Sequence, residues 1–569
     1  MSNNNTEEED KTVFLLPPDL EEGITGPGHL PLLWLLIPLV LVFSVCFTFD
    51  WHAPRVGLAL LLGGGGGALA IAWRRPAWTR PWAACHLTGS AGLAFLLFAA
   101  QVPTLPDWSG LPPRETALTV RWEQVFAGRP SAKTITGIAR VLEAPPETPG
   151  LVGNDIYCQV RLPVPETVRK RGAAFTVSGV LDMTRRQITD DDASGFLRFL
   201  ERRRATMALT RGRLGKLIAE PAAFSAWCAR QSVRIEAVLQ RGLEGRPDEA
   251  GLYTAILLGK TARISKETRA AFARTGTLHL FSVSGLHVGV IAAALFWLGR
   301  RIRAPGAPWR VGVIAVMFVF VMVTGGSPAA LRAWLMVACV LAARFVDRRG
   351  GAAAGLVLAA SAVLLWEPRL LLDISFQLSY GVVAALVFYG LPLAAWLRER
   401  WNPWAFRPAS GGWRQRVAER ALDWLTGSLG IGAASMLAGA PLVVTHFNLF
   451  SAGSLLANLG VVPLAFPVMV IGFAVMAPGL AGLDALVAPL NWLAGWNLLL
   501  LGALTKLFSN LPGMAWTLEY RAEWIGQVTT LILLGVWLAL PFGAAKRHRG
   551  LLFLVPPAVV FLSFALGTR

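Results

Sequence analysis

The sequence predicts a polytopic α-helical membrane protein with about 13 apolar helices and one small extracytoplasmic β domain. Of its 569 residues, 54% are hydrophobic and only 15% are charged, and the mean hydropathy is +0.51. A soluble protein carries about 25% charged residues. Many apolar runs also reach the roughly 20 residues that a helix needs to cross a bilayer. One long polar region, 102–276, alternates apolar and polar residues as strands do.

The first 29 residues predict a solvated, disordered cytoplasmic tail. Acidic residues dominate this segment, and Lys11 is its one lysine or arginine. A secretion signal begins with basic residues instead, and a polar, charged composition is typical of disorder. An N-terminal membrane segment, 30–101, follows with three apolar runs. These runs lie near 30–49, 56–73 and 83–101.

The last part of the chain, 249–569, predicts a multi-helix membrane domain. Its ten apolar runs lie near 277–298, 311–324, 329–345, 351–366, 374–396, 428–446, 453–477, 485–507, 524–542 and 550–566. Threading all the runs in order puts the arginine-rich loops on one side, which the positive-inside rule assigns to the cytoplasm. The N-terminus is therefore predicted to be cytoplasmic, and the C-terminus and the 102–276 region extracytoplasmic.

Within the 102–276 region, alternation predicts a β domain over 102–221. Four segments with apolar residues at alternate positions are strand candidates: 134–142, 156–162, 173–182 and 205–211. Several short strands in so little sequence predict a small barrel or sandwich. The next segment, 222–248, predicts an amphipathic helix that either lies on the outer membrane surface or packs on the β domain. Cys158 and Cys228 fall in this region, and an extracytoplasmic location permits a disulfide between them.

Basic residues are in excess in the outer region, where the positive-inside rule does not predict them. Residues 102–276 hold 27 Lys and Arg against 18 Asp and Glu. Seven basic residues of this region are interrupted by one acidic residue, Glu201. They are Arg198, Arg202, Arg203, Arg204, Arg211, Arg213 and Lys216. Such a patch attracts a polyanion such as DNA, or it lies against anionic lipid headgroups.

Polar residues crowd the first helix of the multi-helix domain, where 279–289 reads HLFSVSGLHVG. A polar group in hydrocarbon needs a partner or a wet cavity. His279, Ser284, Gly285 and His287 are therefore predicted to line or gate a channel. The alternative is a packing patch, in which the small residues let helices approach closely.

Further polar residues recur in later apolar runs: Arg332, Asp373, Gln377, Ser379 and Asn458. A charge at the centre of a bilayer costs about 2.5–3.5 kcal/mol, so these residues are predicted to face the bundle interior as channel-lining or gating groups. Arg332 and Asp373 are candidates to pair there. The alternative is that both lie near the outer helix ends and reach water.

The sequence does not match three kinds of catalytic or metal-binding motif. Gly259-Lys260-Thr261 is similar to the end of a P-loop, but Thr254 stands where that motif needs glycine. No HExxH and no His/Cys group at zinc spacing is present. Ser284 and His287 have the spacing of a nucleophile and its base, yet no acidic residue stands near them in sequence. We expect no cofactor, no metal and no enzymatic activity; an intramembrane Ser/His hydrolase is the weakest alternative.

Four segments together resemble the ComEC family of competence proteins. They are GTLHLFSVSGLHVG at 276–289, SPAALRA at 327–333, DISFQLSY at 373–380 and LLANLGVVP at 455–463, in the family's order and spacing. The resemblance covers 250–540 well and the outer β region more loosely. It implies an OB-like outer domain and a bacterial inner-membrane channel that takes up single-stranded DNA during natural transformation.

The resemblance also implies partners. An OB-like barrel binds single strands on a basic groove, and a cytoplasmic helicase or single-strand-binding protein and an extracytoplasmic DNA receptor would act with the channel in the bilayer. Many members end in a metallo-β-lactamase-like domain, whose HxHxDH motif this sequence lacks. We therefore expect a variant without that domain, or a paralogue with another substrate. An ion-coupled transporter of a small or lipid-linked anion is the alternative.

Overall fold

The computed structural model describes residues 32–74, 79–102, 104, 112–126, 133–148, 150–165, 167–187, 194–220, 222–343, 352–402, 412–539 and 549–568. The predicted acidic tail, 1–29, lies outside the described residues.

Glycines hold the first helices together. The chain begins with α1 (Leu33–Phe49), α2 (Pro54–Arg74) and α3 (Thr79–Gln101). A Cβ on Gly64 would lie 2.7 Å from the carbonyl oxygen of Cys85, and one on Gly92 would lie 2.6 Å from that of Gly57. Real Cβ atoms do not approach so closely, so α2 and α3 touch backbone to backbone, as small residues allow in membranes. A π-helical turn, Leu61–Gly65, interrupts α2 within the five-glycine run.

A closed five-stranded barrel follows the first helices. Its elements are β1 (Arg114–Val125), β2 (Thr134–Glu143), β3 (Asp155–Arg161), β4 (Ala174–Met183), α4 (Thr184–Gln187), α5 (Ser194–Arg202) and β5 (Met207–Ala219). The spatial order is β1-β2-β3-β5-β4, and every pair is antiparallel except β3 with β5. Inward-facing residues such as Leu118, Trp122 and Phe175 fill the barrel and are almost completely buried. The fold therefore has a separate β core.

Four of these strands lie where the alternation predicts them. β1 was not predicted, although Leu118, Val120 and Trp122 alternate with polar residues and carry the same signal. Both Cys158, inside the barrel, and Cys228 are free thiols. The permitted disulfide between them is therefore not formed in this structure.

Three helices connect the barrel to the remaining membrane helices: α6 (Ala223–Gln240), α7 (Pro247–Leu258) and α8 (Lys266–Arg274). α6 buries Ile235, Val238 and Leu239 in the same core as α7. Its outer face leaves Phe224 and Trp227 partly exposed. The apolar face of α6 thus packs on other helices, and the predicted location of this helix on the outer membrane surface stays a prediction. α7 is buried from residue 250 to its end at residue 258.

The last part of the chain is a bundle of apolar helices. They are α9 (Gly285–Arg301), α10 (Gly306–Val323), α11 (Pro328–Ala343), α12 (Ala352–Trp366), α13 (Ile374–Trp401), α14 (Trp413–Phe447), α15 (Ser454–Leu480), α16 (Asp484–Ser509), α17 (Glu523–Ala539) and α18 (Gly550–Gly567). The strands β6 (Leu449–Phe450) and β7 (Trp516–Thr517) pair between loops of the bundle.

Within the described residues, eight helices are long and apolar enough to cross a membrane: α2, α3, α10, α13, α14, α15, α16 and α18. Four shorter apolar helices, α1, α11, α12 and α17, accompany them. A chain of this kind fits a multi-pass membrane protein, as the sequence predicts.

Candidate functional site

His287 is a buried connector between two helices. Its ring is fully buried. Its Nδ1 accepts a hydrogen bond from the Ser284 backbone N–H at 3.2 Å, so the ring caps α9. Its Nε2 lies 2.7 Å from the carbonyl oxygen of Ile256 in α7. A ring that accepts on one nitrogen and donates to a carbonyl from the other is neutral. His287 therefore ties the start of α9 to α7.

The other predicted residues at this segment lie nearer the surface. His279 is exposed in a single 3₁₀ turn, and its Nδ1 lies 3.1 Å from the carbonyl oxygen of Gly276. Gly285 is exposed as the first residue of α9. Ser284 is half-buried, and its Oγ lies 3.3 Å from Nδ1 of His287. Their predicted role in lining or gating a channel stays a prediction.

Arg332 makes a buried polar contact with α13. Arg332, on the second turn of α11, is only 3% exposed. Its Nη2 donates to the hydroxyls of Ser375 and, at 3.2 Å, Ser379, which lie one turn apart on α13. Its Nε has no hydrogen-bond partner. The guanidinium is therefore held by neutral hydroxyl groups.

Asp373 makes its ion pair with the barrel. Its carboxylate caps α13 by accepting hydrogen bonds from the backbone N–H groups of Ser375 at 2.7 Å and Phe376 at 3.3 Å. A second oxygen lies 2.6 Å from Nη2 of Arg203, in the loop between α5 and β5. The candidate pairing of Arg332 with Asp373 is thus replaced by two separate contacts of α13.

Two amides complete the predicted set. Gln377 donates from Nε2 to the carbonyl oxygen of Leu371 at 3.0 Å, which closes the turn before α13. Asn458, in the first turns of α15, has a buried Oδ1 without a hydrogen-bond partner. A buried amide oxygen without a hydrogen-bond partner destabilises the fold unless a ligand or a water molecule donates a hydrogen bond to it.

Further ion pairs fasten the barrel to the membrane helices, and sequence reasoning did not identify their residues as a set. Arg204 binds Asp50, at the end of α1, at 2.8 Å. Asp155, at the start of β3, binds Arg140 at 2.8 Å and lies 3.6 Å from Arg369, in the loop before α13. The hydrogen bond to Asp155 raises the pKa of Arg140 above its usual range. Nothing in the local sequence pairs these residues, because their positions are 15 to 214 apart.

The predicted basic patch divides into two groups. Arg203 and Arg204 bind carboxylates of the membrane part and face it. Arg211, Arg213 and Lys216 are exposed along β5. The side chains of Arg198 and Arg202 lie outside what the structure describes. The contact of the whole patch with DNA stays a prediction.

The described residues contain no group of three or more His, Cys, Asp or Glu placed to hold a metal ion. The site is instead a polar junction: the barrel contacts the N-terminal end of α13 through Arg203, and buried Arg332 of α11 hydrogen-bonds to the same end of α13. Such an arrangement can attract and hold an anion, since helix N-termini and arginine both favour negative charge.

The sequence profile of the family described as "Competence protein" matches residues 256–544, slightly more than half of the 569 residues. The chain belongs to this family. The match spans the helices from the end of α7 to α17, so it includes His287, Arg332, Asp373 and Asn458. The predicted membership in the ComEC family of competence proteins is confirmed.

Relatives in three bacteria match shorter stretches. "ComE operon protein 3" of Bacillus subtilis (strain 168) is 33% identical over 141 residues, 25% of this chain and 18% of that protein. "Competence protein ComA" of Neisseria gonorrhoeae is 34% identical over 155 residues, 25% of this chain and 22% of that protein. "Recombination protein 2" of Haemophilus influenzae (strain ATCC 51907 / DSM 11121 / KW20 / Rd) is 26% identical over 222 residues, 38% of this chain and 26% of that protein.

The matched stretches thus span about a quarter or less of these relatives' own lengths. No solved structure gives a significant match to this chain.

Proposed function

We propose that this protein is a channel of the bacterial inner membrane that takes up single-stranded DNA during natural transformation. The observation that carries the proposal is the junction of the barrel with the bundle. Arg203 of the barrel binds Asp373 at the start of α13, and α13 in turn holds buried Arg332. A strand bound on the barrel would therefore arrive directly at the polar residues of the family domain.

The barrel supports the proposal through its form and charge. Five closed strands in the order β1-β2-β3-β5-β4 fit an OB-like barrel, and such barrels bind single strands in basic grooves. Arg211, Arg213 and Lys216 leave three exposed positive charges on β5. Phosphate contacts by such residues contribute most of the affinity for nucleic acid.

The orientation is part of the proposal. With thirteen membrane helices, the arginine-rich loops lie in the cytoplasm together with the N-terminus, and the barrel and the C-terminus lie outside. DNA would be delivered by an extracytoplasmic receptor and drawn inward by a cytoplasmic helicase or single-strand-binding protein. These partners supply the driving force in our proposal.

We also propose that the chain transports rather than catalyses. Nδ1 of His287 already accepts the Ser284 backbone N–H, and Nε2 is occupied by the Ile256 carbonyl oxygen. A general base needs a free nitrogen and an orienting group for its other one. Failure of an active-serine probe to label Ser284 is the expected result, and labelling that requires His287 would contradict it.

Entry of labelled DNA into the cytoplasm tests the function. A deletion strain is expected to lose entry, and the wild-type gene to restore it. The triple variant Arg211→Gln/Arg213→Gln/Lys216→Gln should restore little. A matched triple, Arg121→Gln/Arg161→Gln/Arg171→Gln, removes the same charge from other exposed barrel positions and should restore much more. Normal DNA entry in the deletion strain would refute the proposal.

Buried Arg332 also favours the second candidate, an ion-coupled transporter of a small or lipid-linked anion, since transporters place such groups inside broken helix bundles. That function predicts undiminished DNA entry after deletion. It also predicts that membrane vesicles from the deletion strain lose gradient-driven uptake of the anion.

A further inference from the structure

Two arginines and one carboxylate meet at the junction between barrel and bundle, so their charges do not balance. Asp373 pairs with Arg203 at 2.6 Å. Among the described residues, no carboxylate lies within ion-pair distance of Arg332, although this side chain is only 3% exposed. A buried charge without a counterion is costly. The junction therefore holds one uncompensated positive charge.

Unused hydrogen-bond donors surround that charge. Nε of Arg332 is buried and has no partner, and the same is true of the hydroxyl of Tyr380, which is 8% exposed. Asp373 and Tyr380 both lie within electrostatic range of Arg332, although neither forms an ion pair with it. The hydroxyls of Ser375 and Ser379 already contact the guanidinium and have protons to donate elsewhere. Hydrogen-bond donors without partners, next to a cation without an ion-pair partner, are the groups that an anion-binding site provides.

The helix ends add to the attraction. α11 begins at Pro328, four residues before Arg332, and α13 begins at Ile374, next to Asp373. The N-terminal ends of both helices carry a partial positive charge, and the hydrogen bond from Arg332 to Ser375 brings the two ends together. Arginine forms bidentate hydrogen bonds with phosphate oxygens, which a lone lysine does not.

We propose that Arg332, with Ser375, Ser379 and Tyr380, binds one phosphodiester anion. The inference rests on the proposed function in naming the passing DNA strand as the expected source of the phosphodiester. A phospholipid headgroup presents the same chemistry from the membrane. Arg203 and Asp373 stand at the barrel side of this site, so the charge of Asp373 opposes anion binding while Arg203 partly offsets it.

Binding of fluorescein-labelled (dT)12 to the full-length protein in phosphatidylcholine nanodiscs provides the first test. Arg332→Gln should weaken binding about tenfold, as loss of a charge-assisted hydrogen bond does. It should also reduce the slope of log affinity against log salt by about 0.7, the value for one phosphate of a single strand. Arg332→Lys keeps the charge and should have a smaller effect.

Asp373→Asn is the more specific test, because it changes the charge at the junction and leaves Arg332 in place. Asparagine caps a helix as well as aspartate does, but the junction gains one net positive charge, so (dT)12 should bind several-fold more tightly. The matched control is Asp50→Asn. It breaks a different ion pair of the barrel, the one between Arg204 and the end of α1, and asparagine tolerates the left-handed backbone at this position, where φ is 48°. Its affinity should equal that of the wild type.

The second arm measures tightly bound phosphatidylglycerol by native mass spectrometry. If lipid is the source, Arg332→Gln should lose a bound lipid while its (dT)12 affinity stays constant. Unchanged binding of both probes in a folded Arg332→Gln protein would overturn the site. Equal effects of Asp373→Asn and Asp50→Asn would overturn it as well. Normal DNA entry in the deletion strain, with Arg332-dependent phosphodiester binding retained, would refute the proposed function and leave the site intact.

Discussion

At the residue scale, three polar side chains of the bundle form hydrogen bonds with the backbone near a helix end. His287 caps α9, Asp373 caps α13, and Gln377 closes the turn before α13. Each satisfies backbone groups that a helix end leaves open. Beyond that local bond, His287 and Asp373 each hold a second element in place. The same residues thus serve both packing and the candidate site.

His287 is the residue whose loss we expect to matter most for stability. His287→Ala leaves the Ser284 N–H and the Ile256 carbonyl oxygen without their hydrogen-bond partner. Each buried group without a partner lowers the stability by about 1–3 kcal/mol. The apparent melting temperature of the purified protein should therefore fall by several degrees. His279→Ala, which removes an exposed ring, should change it little. Equal losses in the two variants would contradict the connecting role of His287.

Asn458 allows stability and function to be separated. Its Oδ1 is buried without a partner, so Asn458→Leu removes an unsatisfied group and should leave the melting temperature unchanged or higher. If Asn458 lines the path of the substrate, DNA entry should fall at the same time. A loss of both stability and entry would show instead that Asn458 is a packing residue.

The polar residues could be named from the sequence, but their partners could not. Arg332, Asp373 and Ser379 stand out because charged and hydroxyl groups are rare in apolar runs. The partner of Asp373 is Arg203, 170 positions earlier, in the loop between α5 and β5. Only the fold brings such distant residues together, and no local pattern distinguishes Arg203 from the other arginines of its patch.

At the element scale, hydropathy located the apolar helices well, because a helix lets each apolar run satisfy its own backbone. Each predicted run overlaps a helix, and α14 begins at Trp413, well before the predicted 428. Its first turns carry charged residues beyond the apolar run. The strand β1 was missed, although its alternation matches that of β2. Periodicity therefore identifies the kind of element better than its ends.

The five-glycine run of α2 yields a test of helix contact. Gly64→Ala places a Cβ against the backbone of α3, 2.7 Å from the Cys85 carbonyl oxygen. Backbone cannot yield as a side chain can, so overpacking should cost about 1–3 kcal/mol. Gly66→Ala, two residues along, meets nothing within 4 Å and should be neutral or slightly stabilising. Thermal unfolding of both variants, compared with the wild type, measures the difference. An equal response would rule out the close contact.

At the scale of the whole molecule, three ion pairs among the described residues join the barrel to the helices. The barrel has its own apolar interior. Its ion pairs reach the end of α1 and the loop before α13, through Arg204, Arg203 and Asp155. A module held in this way keeps its fold when its attachments weaken, because burial of the barrel core does not depend on them.

Arg369→Gln tests whether these attachments position the barrel. Arg369 is 12% exposed and faces Asp155, which is 10% exposed, at 3.6 Å. Breaking a pair so shielded from water costs more than breaking a surface pair. We expect faster hydrogen exchange in the segments that join the barrel to α3 and α6, while β1 to β5 stay protected because their apolar core is unchanged. Arg121→Gln breaks the more exposed Arg121–Glu123 pair within β1 and should alter neither. Uniformly faster exchange across the strands after Arg369→Gln would mean that the Arg369–Asp155 pair stabilises the barrel fold itself. Joining segments that stay protected in this variant would mean that apolar contacts alone hold the barrel in place.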